Sequence, residues 1–353
     1  MARFRKVADL CLLLVALAAL SLLVPSGEIL PEALNAYYVG ETPAPYQFAL
    51  RPYGLALASA FVLAGAVFVF LARKKHDASW AELIRFLTLA ALLGICLSRA
   101  LFCVANSAFY AQAFQQAAFL KIWEGGMSMT GAIGGFALAA LILKRCAHEG
   151  SHPDALALAA AMFVFVARLG EKYAGTGFGA DVEFSGIFTL PDEYGAVLNV
   201  WLMEALCALV IFIALAALIR FTQARPGDCF AVFFLLYGAS QIFFESLRAD
   251  RHMILGFVKV QQVFAMLMAA GGFIFFARRI HKTALAVCLS VMTAVIAFLL
   301  EKALDRLDIS ALVLYAGYII LLAAYAGGGL MMLRCDIRLH ADKSRGTAFK
   351  AKS

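Results

Sequence analysis

The sequence contains few charged residues, and this scarcity limits the class of protein that it can encode. Asp, Glu, Lys and Arg together make up 15% of the 353 residues, whereas 63% are hydrophobic. A chain of this composition has too few polar side chains to cover an ordinary water-exposed surface. We therefore predict a single domain embedded in a membrane.

Motifs of soluble-enzyme and cofactor chemistry are absent from the sequence. It contains no Walker phosphate loop, no HExxH pair and no dinucleotide-binding fingerprint. The eight cysteines form no CxxC pair and lie mostly in apolar runs. This pattern is typical of small buried residues and supports neither a disulfide framework nor a metal site. No cofactor and no metal are predicted.

Apolar runs recur along the whole chain. A helix that crosses a hydrocarbon core of ~30 Å needs about 20 residues, and ten runs approach this length. The predicted fold class is therefore an all-α polytopic membrane protein. The ten predicted spans are 7–24, 53–72, 83–105, 126–143, 155–170, 197–219, 229–247, 257–277, 284–300 and 309–333.

Lysine and arginine clusters fall at every second break between these spans. Cytoplasmic loops carry the positive excess in membrane proteins, so the clusters predict that both termini are cytoplasmic. The net charge of +7 then reflects topology, and no nucleic-acid partner is predicted. Arg3, Arg5 and Lys6 before the first run also fit a secretory signal. A retained helix is favoured because no clean small-x-small cleavage site precedes Pro25.

Five ionisable residues lie within or directly after predicted spans, in the half that the topology places outside. Charged groups in a membrane usually face a protein interior or a cavity, and guanidinium groups match phosphate oxygens bidentately. One interpretation is a set of structural ion pairs, with Glu204 or Glu245 bound to an arginine. The other is an outward-facing pocket for an anionic phospholipid head group. The five residues are Arg99, Arg168, Glu204, Glu245 and Arg248.

Several sequence blocks carry a family resemblance, in the same order as in that family. Residues 121–131 (KIWEGGMSMTG), 51–55 (RPYGL), 167–179 (ARLGEKYAGTGFG), 245–248 (ESLR, after Tyr237-Gly238) and 260–263 (VQQV) resemble motifs of the bacterial prolipoprotein diacylglyceryl transferases. The resemblance covers about residues 50–280, which contain seven predicted spans, and the family has seven helices.

The resemblance implies a division of the chain and a function. Residues 1–49 would form an N-terminal helix or signal with an outer loop, 50–280 the seven-helix transferase-like core, 281–339 two additional transmembrane helices, and 340–353 a cytoplasmic tail. The implied reaction moves a diacylglyceryl group from phosphatidylglycerol to the lipobox cysteine of a prolipoprotein. Its implied partners are phosphatidylglycerol, the prolipoprotein signal peptide and membrane lipids. Its implied location is the outer leaflet of the bacterial inner membrane.

The resemblance also implies site residues. Arg168 corresponds to the family's phospholipid-binding arginine, Glu245 and Arg248 to its closing helix, and Glu204 to a motif glutamate. Tyr53 and Tyr237 correspond to tyrosines that line the family's cavity, although both also fit interfacial anchors. We predict catalytic roles for Arg168, Glu171 and Glu245. Phospholipid binding is predicted for Arg168, Tyr53, Arg99, Glu204, Tyr237 and Arg248.

The sequence departs from the family pattern at four of these motif positions. Thr130 replaces a histidine, Gln241 an arginine, Glu171 an asparagine and Thr176 a glutamate. Glu171 or His252 would have to supply a general base in place of the missing histidine. Two alternatives therefore stay open: a non-catalytic phospholipid-binding membrane protein that keeps the pocket, and a transferase with a different acceptor.

Overall fold

Helices dominate the part of the chain described by the structure, which is a computed structural model. It describes residues 52–76, 78–106, 126–146, 152–183, 185–192, 195–222, 224–249, 254–255, 258–306 and 310–350. Eight of the helices within these residues are long and apolar enough to cross a membrane, which confirms the all-α polytopic class. The described helices are α1 (Pro52–His76), α2 (Trp80–Ala105), α3 (Met129–Cys146), α4 (Pro153–Ala174), α5 (Val200–Phe221), α6 (Asp228–Leu247), α7 (Val260–Arg279), α8 (Thr283–Arg306) and α9 (Ala311–Lys350).

Nine of the ten predicted spans coincide with these helices, and most ends differ by only a few residues. The largest difference is at α9, which continues to Lys350, beyond the predicted end of its span and into the predicted tail. Helix α3 is the shortest, with 18 residues, and carries Lys144 and Arg145 in its last turn. The predicted span 7–24, together with the choice between a helix and a signal, lies outside the described residues.

Two small antiparallel sheets lie in the connections between helices. Strands β1 (Phe178–Val182), β2 (Thr189–Asp192) and β3 (Gly195–Asn199) follow α4 and pair in the order β1-β3-β2. Strands β4 (Ile254–Leu255) and β5 (Val258–Lys259) precede α7. None of these strands was predicted: most of their residues fall in predicted breaks, and residues 197–199 of β3 and 258–259 of β5 fall at the starts of predicted spans. Strands of two to five residues have too few positions to display an alternating pattern.

The described chain divides into two compact units. The first comprises the described residues of Met1–Phe212 and Leu247–Val260, and the second those of Ile213–Ser246 and Gln261–Ser353. In the first unit, α2 and α3 approach closely through glycines. A Cβ atom on Gly131 would lie 2.6 Å from the carbonyl oxygen of Leu97, and one on Gly135 would lie 2.5 Å from the amide nitrogen of Gly94. Small residues are what permits helix backbones in a membrane to pack at this distance.

The second unit contains a group of four charged residues that we call the second cluster. Arg279 of α7 binds Asp228 of α6, and its Nη1 lies 3.1 Å from Oδ2 of Asp336 on α9. Arg225 Nη1 lies 3.5 Å from Oδ1 of Asp336, and the Arg225 amide donates to Asp228 Oδ2 at 2.7 Å. The second cluster therefore joins the predicted additional helix α9 to α6 and α7.

Polar contacts near the start of α7 also involve α8 and α9, the two predicted additional helices. Glu301 Oε2 on α8 accepts from Gln262 Nε2 on α7 at 3.3 Å and from the Tyr318 hydroxyl on α9 at 3.2 Å. The Tyr318 hydroxyl lies 2.7 Å from the Ala297 carbonyl oxygen, and Tyr318 is 1% exposed. Within the second unit, partly buried polar contacts thus link α9 to α8 and α8 to α7.

Candidate functional site

The last turn of α4 carries the first two residues of the site. Arg168 and Glu171 are three residues apart, a spacing that places them on one face of a helix, and their side chains form an ion pair. The helix ends at Gly175, whose left-handed φ of +67° lets its amide donate to the Glu171 carbonyl oxygen. The chain therefore turns directly beside this pair.

Glu204 enters the site from α5. The three-stranded sheet returns the chain after α4, and the Trp201 amide donates to the Gly177 carbonyl oxygen at 2.9 Å. This hydrogen bond places the first turn of α5 next to the last turn of α4. Glu204 lies one turn further along α5 than Trp201 and is 1% exposed.

Arg248 enters from the segment that follows α6. The Ala249 amide donates to the Phe178 carbonyl oxygen at 3.0 Å, and Arg248 forms an isolated β-bridge with Gly179. These backbone contacts with β1 fix the position of Arg248 within the first unit.

The four side chains form a closed set of ion pairs that we call the charge ring. Glu171 binds Arg168 through Oε1, and its Oε2 lies 2.5 Å from Nη2 of Arg248. Glu204 Oε2 lies 2.5 Å from Nε of Arg168, and its Oε1 lies 2.8 Å from Nε of Arg248. Each carboxylate thus bridges both guanidinium groups.

Burial gives the charge ring its electrostatic character. At most 2% of any of the four side chains is exposed. Two arginines and two glutamates carry no net charge when all are ionised. Because removing one member would leave an uncompensated buried charge, the four residues depend on each other.

Gly177 lies directly against the charge ring and has no room for a side chain. A Cβ atom there would lie 2.5 Å from Oε2 of Glu171, 3.2 Å from Nη2 of Arg248 and 2.8 Å from Cβ of Trp201. Its φ of +79° also favours glycine. The close approach of this backbone seals the charge ring on one side.

Tyr53, at the start of α1, lies next to the charge ring. A Cβ atom on Gly170 would lie 2.7 Å from Cβ of Ala56 and 3.4 Å from Cδ2 of Tyr53, so α1 packs closely on the last turns of α4. Tyr53 is within electrostatic range of Glu171, Arg168 and Arg248. The structure therefore brings together five of the predicted site residues: the four of the charge ring and Tyr53.

Three further predicted site residues are buried on α2 and α6. Arg99 of α2 is 4% exposed, and its Nη1 donates to the Gly126 carbonyl oxygen at 3.2 Å. Tyr237 and Glu245 are buried on α6 in the second unit, where Tyr237 stacks on Phe233. Their predicted roles stay predictions. His252, the other predicted source of a base, lies outside the described residues.

Sequence reasoning missed Gly177 and Trp201 as parts of the site. Gly177 lies inside the quoted block 167–179, but a glycine in a loop gives no signal of what its backbone approaches. Trp201 lies outside the quoted sequence blocks, so the resemblance gave it no role. Its spacing from Glu204, three residues on a helix, is the signal that places both on one face.

Fold and site together define the class of this protein: a multi-pass helical membrane protein with a buried, neutral ring of charged side chains. The family model described as prolipoprotein diacylglyceryl transferase matches residues 44–278. The chain therefore belongs to the prolipoprotein diacylglyceryl transferase family, a family of transferases, which confirms the resemblance seen in the sequence.

Similar proteins carry the name phosphatidylglycerol–prolipoprotein diacylglyceryl transferase. Those of Thermotoga petrophila and Thermotoga maritima are each 27% identical in alignments of 246 residues that cover 64% of this chain and 80% of the relative. That of Azospirillum brasilense is 30% identical in an alignment of 217 residues that covers 56% of this chain and 77% of the relative.

Proposed function

We propose that this chain transfers a diacylglyceryl group from phosphatidylglycerol to the lipobox cysteine thiol of a prolipoprotein signal peptide. The proposed location is the outer leaflet of the bacterial inner membrane, with both chain termini in the cytoplasm. Membership of the transferase family supports the reaction. The observation that carries the site is the charge ring, because it joins Arg168 and Arg248 within the matched region.

The proposed reaction needs cationic groups beside the leaving group. The thiol loses its proton, the thiolate sulfur attacks the glyceryl carbon that bears the phosphate ester, and the carbon–oxygen bond breaks. Glycerol phosphate leaves with the bonding electrons, so negative charge develops on its oxygen. In the proposal, Arg168 and Arg248 bind the phosphate and stabilise this charge.

The proposal assigns Glu171 as the general base that accepts the thiol proton. Its position beside both arginines puts it within reach of groups that bind there. Tyr53 would contact the donor lipid next to the charge ring, and Glu204 would hold the two arginines in position. Glu245, Tyr237 and Arg99 keep their predicted roles in catalysis and lipid binding.

A second candidate is a phospholipid-binding membrane protein without transfer activity. Thr130 and Gln241 stand where the family has a histidine and an arginine. These two positions favour binding without chemistry. A transferase with another acceptor is the remaining alternative, and the same assay separates all three.

The deciding experiment uses the purified full chain in phosphatidylglycerol vesicles with a lipobox peptide, and mass spectrometry of the diacylglyceryl thioether. We expect product from the unchanged chain and at least ~100-fold less from Arg168→Lys, because lysine keeps the charge but loses the planar fork. The control is Arg220→Ala, an exposed arginine at the end of α5, which should retain activity. Lipid binding, titrated in parallel, without product would support the second candidate. Product on a cysteine peptide without the lipobox sequence, and none on the lipobox peptide, would support the third.

A further inference from the structure

Glu171 and Glu204 hold different atoms of the same two arginines. Glu204 contacts Nε of Arg168 at 2.5 Å and Nε of Arg248 at 2.8 Å. Glu171 contacts Nη1 of Arg168 and Nη2 of Arg248. Each guanidinium group is therefore held from its Nε side by one carboxylate and from its Nη side by the other.

The Glu171 carboxylate occupies the position, between the two guanidinium groups, that a bound phosphate group would take. Two oxygens on one central atom each accept from a terminal guanidinium nitrogen of a different arginine. A phosphodiester presents the same arrangement with its two unesterified oxygens, and it also carries one negative charge. It can therefore replace Glu171 in the charge ring contact for contact, without changing the net charge.

From this we propose that Glu171 is an internal counter-ion that an anionic phosphate ester must displace, so that Glu171 sets the affinity of the site for phospholipids. Glu204 stays in place and keeps both arginines oriented through their Nε atoms. The inference rests on the proposed function, because it takes the donor's phosphate as the displacing anion.

The position of the two carboxylates explains why Glu171 is the one displaced. Glu204 lies within α5 and is fully buried as a side chain. Glu171 lies four residues before the left-handed Gly175, and its pairing with Arg168 is within one helix. Displacing Glu171 therefore breaks its contact with Arg168 within α4 and its contact with the distant Arg248. Displacing Glu204 would break two contacts between distant parts of the chain, with Arg168 and with Arg248.

The test measures binding in the absence of acceptor peptide. The purified full chain in detergent is titrated with short-chain phosphatidylglycerol, with soluble glycerol phosphate and with diacylglycerol, which has no phosphate. Glu171→Asn removes the competing charge and restores the residue type of the family motif. It should tighten phosphatidylglycerol binding about tenfold or more and leave diacylglycerol binding within about twofold. Tightening of glycerol phosphate as well would show that the phosphate alone displaces Glu171.

Three further variants make the result specific. Glu171→Gln should behave like Glu171→Asn and serves if the asparagine variant does not fold. Asp181→Asn removes an exposed acid of the same unit and should change nothing. Glu204→Gln removes the same charge from the charge ring but should not tighten binding, because Glu204 orients the arginines. Equal tightening by Glu204→Gln would overturn the proposal, since the effect would then follow net charge alone.

Failure of this inference is distinguishable from failure of the proposed function. Unchanged or weaker phosphatidylglycerol binding by folded Glu171→Asn and Glu171→Gln would overturn the inference, even if the unchanged chain makes thioether. Tighter binding by these variants, with no thioether from the unchanged chain, would support the inference and contradict the proposed transfer.

Discussion

The charge ring and the second cluster each contain two arginines and two carboxylates, yet they differ in how they are closed. In the charge ring both carboxylates bridge both arginines, and every side chain is at most 2% exposed. In the second cluster, the side chains of Arg279 and Arg225 are 21% and 31% exposed. The Asp228 side chain there also accepts from the backbone at the start of α6. The charge ring is enclosed by protein, whereas the arginines of the second cluster are partly exposed at the protein surface.

The types and number of charged residues in a cluster therefore do not identify a functional site. Partly exposed ion pairs contribute little to stability because solvent screens them, and the second cluster mainly fastens α9 to α6 and α7. A buried ring concentrates two cations where no water competes for them. The proposed displacement of Glu171 would therefore create an anion site in the charge ring and not in the second cluster.

The largest expected effect is the loss of one arginine from each group. Arg248→Ala leaves Glu171 and Glu204 with too little positive charge and should lower the free energy of unfolding by about 3–5 kcal/mol. Arg225→Ala in the second cluster should lower it by about 1 kcal/mol or less. Denaturant unfolding in detergent micelles measures both. Similar losses for the two variants would show that the groups are energetically alike.

The next effect concerns the glycines beside the charge ring. Gly177→Ala would push a methyl group against Glu171 and Trp201 in a left-handed backbone, so we expect a loss of about 2–4 kcal/mol and weaker lipid binding. Gly175→Ala is the matched control, because Gly175 has a similar φ but nothing within 4 Å of the added atom. It should cost about 1 kcal/mol and leave lipid binding unchanged. Thermal unfolding and lipid titration of the two variants test the contrast, and equal costs would contradict the contact at Gly177.

The smallest effect is the response to salt. A double-mutant cycle of Arg225 and Asp336 should give a coupling of about 0.2–1 kcal/mol that falls as ionic strength rises from ~0.05 to ~0.5 M. The cycle of Arg248 and Glu204 should give a larger coupling that changes by less than about 0.3 kcal/mol, because buried pairs are screened much less. If the coupling energy of Arg248 and Glu204 also fell as the salt concentration rose, solvent would have to reach the charge ring.

Hydropathy predicted the helices and part of the site for a clear physical reason. Spans are recognised by length and composition. Their predicted bounds placed Arg168, Glu204 and Arg248 at the outer ends of their spans. The spacing of Arg168 and Glu171 then placed this pair on one face. One alternative considered from the sequence, ion pairing of Glu204 with Arg168 or Arg248, is what the structure contains.

The remaining features of the site could not be predicted from the depth of residues in the membrane or from their spacing along the sequence. Arg99 lies at a similar predicted depth, but the direction in which it points is set by the turn before α3, where it binds the Gly126 carbonyl oxygen. The return of the chain through β1–β3 positions Trp201 and Glu204, and strands this short leave no pattern in the sequence. That Glu171 neutralises the arginines also follows only from the three-dimensional pairing.

The neutrality of the charge ring has a consequence for how the protein responds to the membrane potential. Moving one elementary charge through the full field changes its energy by about 2.3 kcal/mol per 100 mV. When one phosphate monoanion enters as one carboxylate monoanion withdraws, almost no net charge crosses any part of that field. If the donor's phosphate displaces Glu171 as proposed, donor binding at the charge ring is electrically silent, and its affinity should be the same in energised and de-energised membranes.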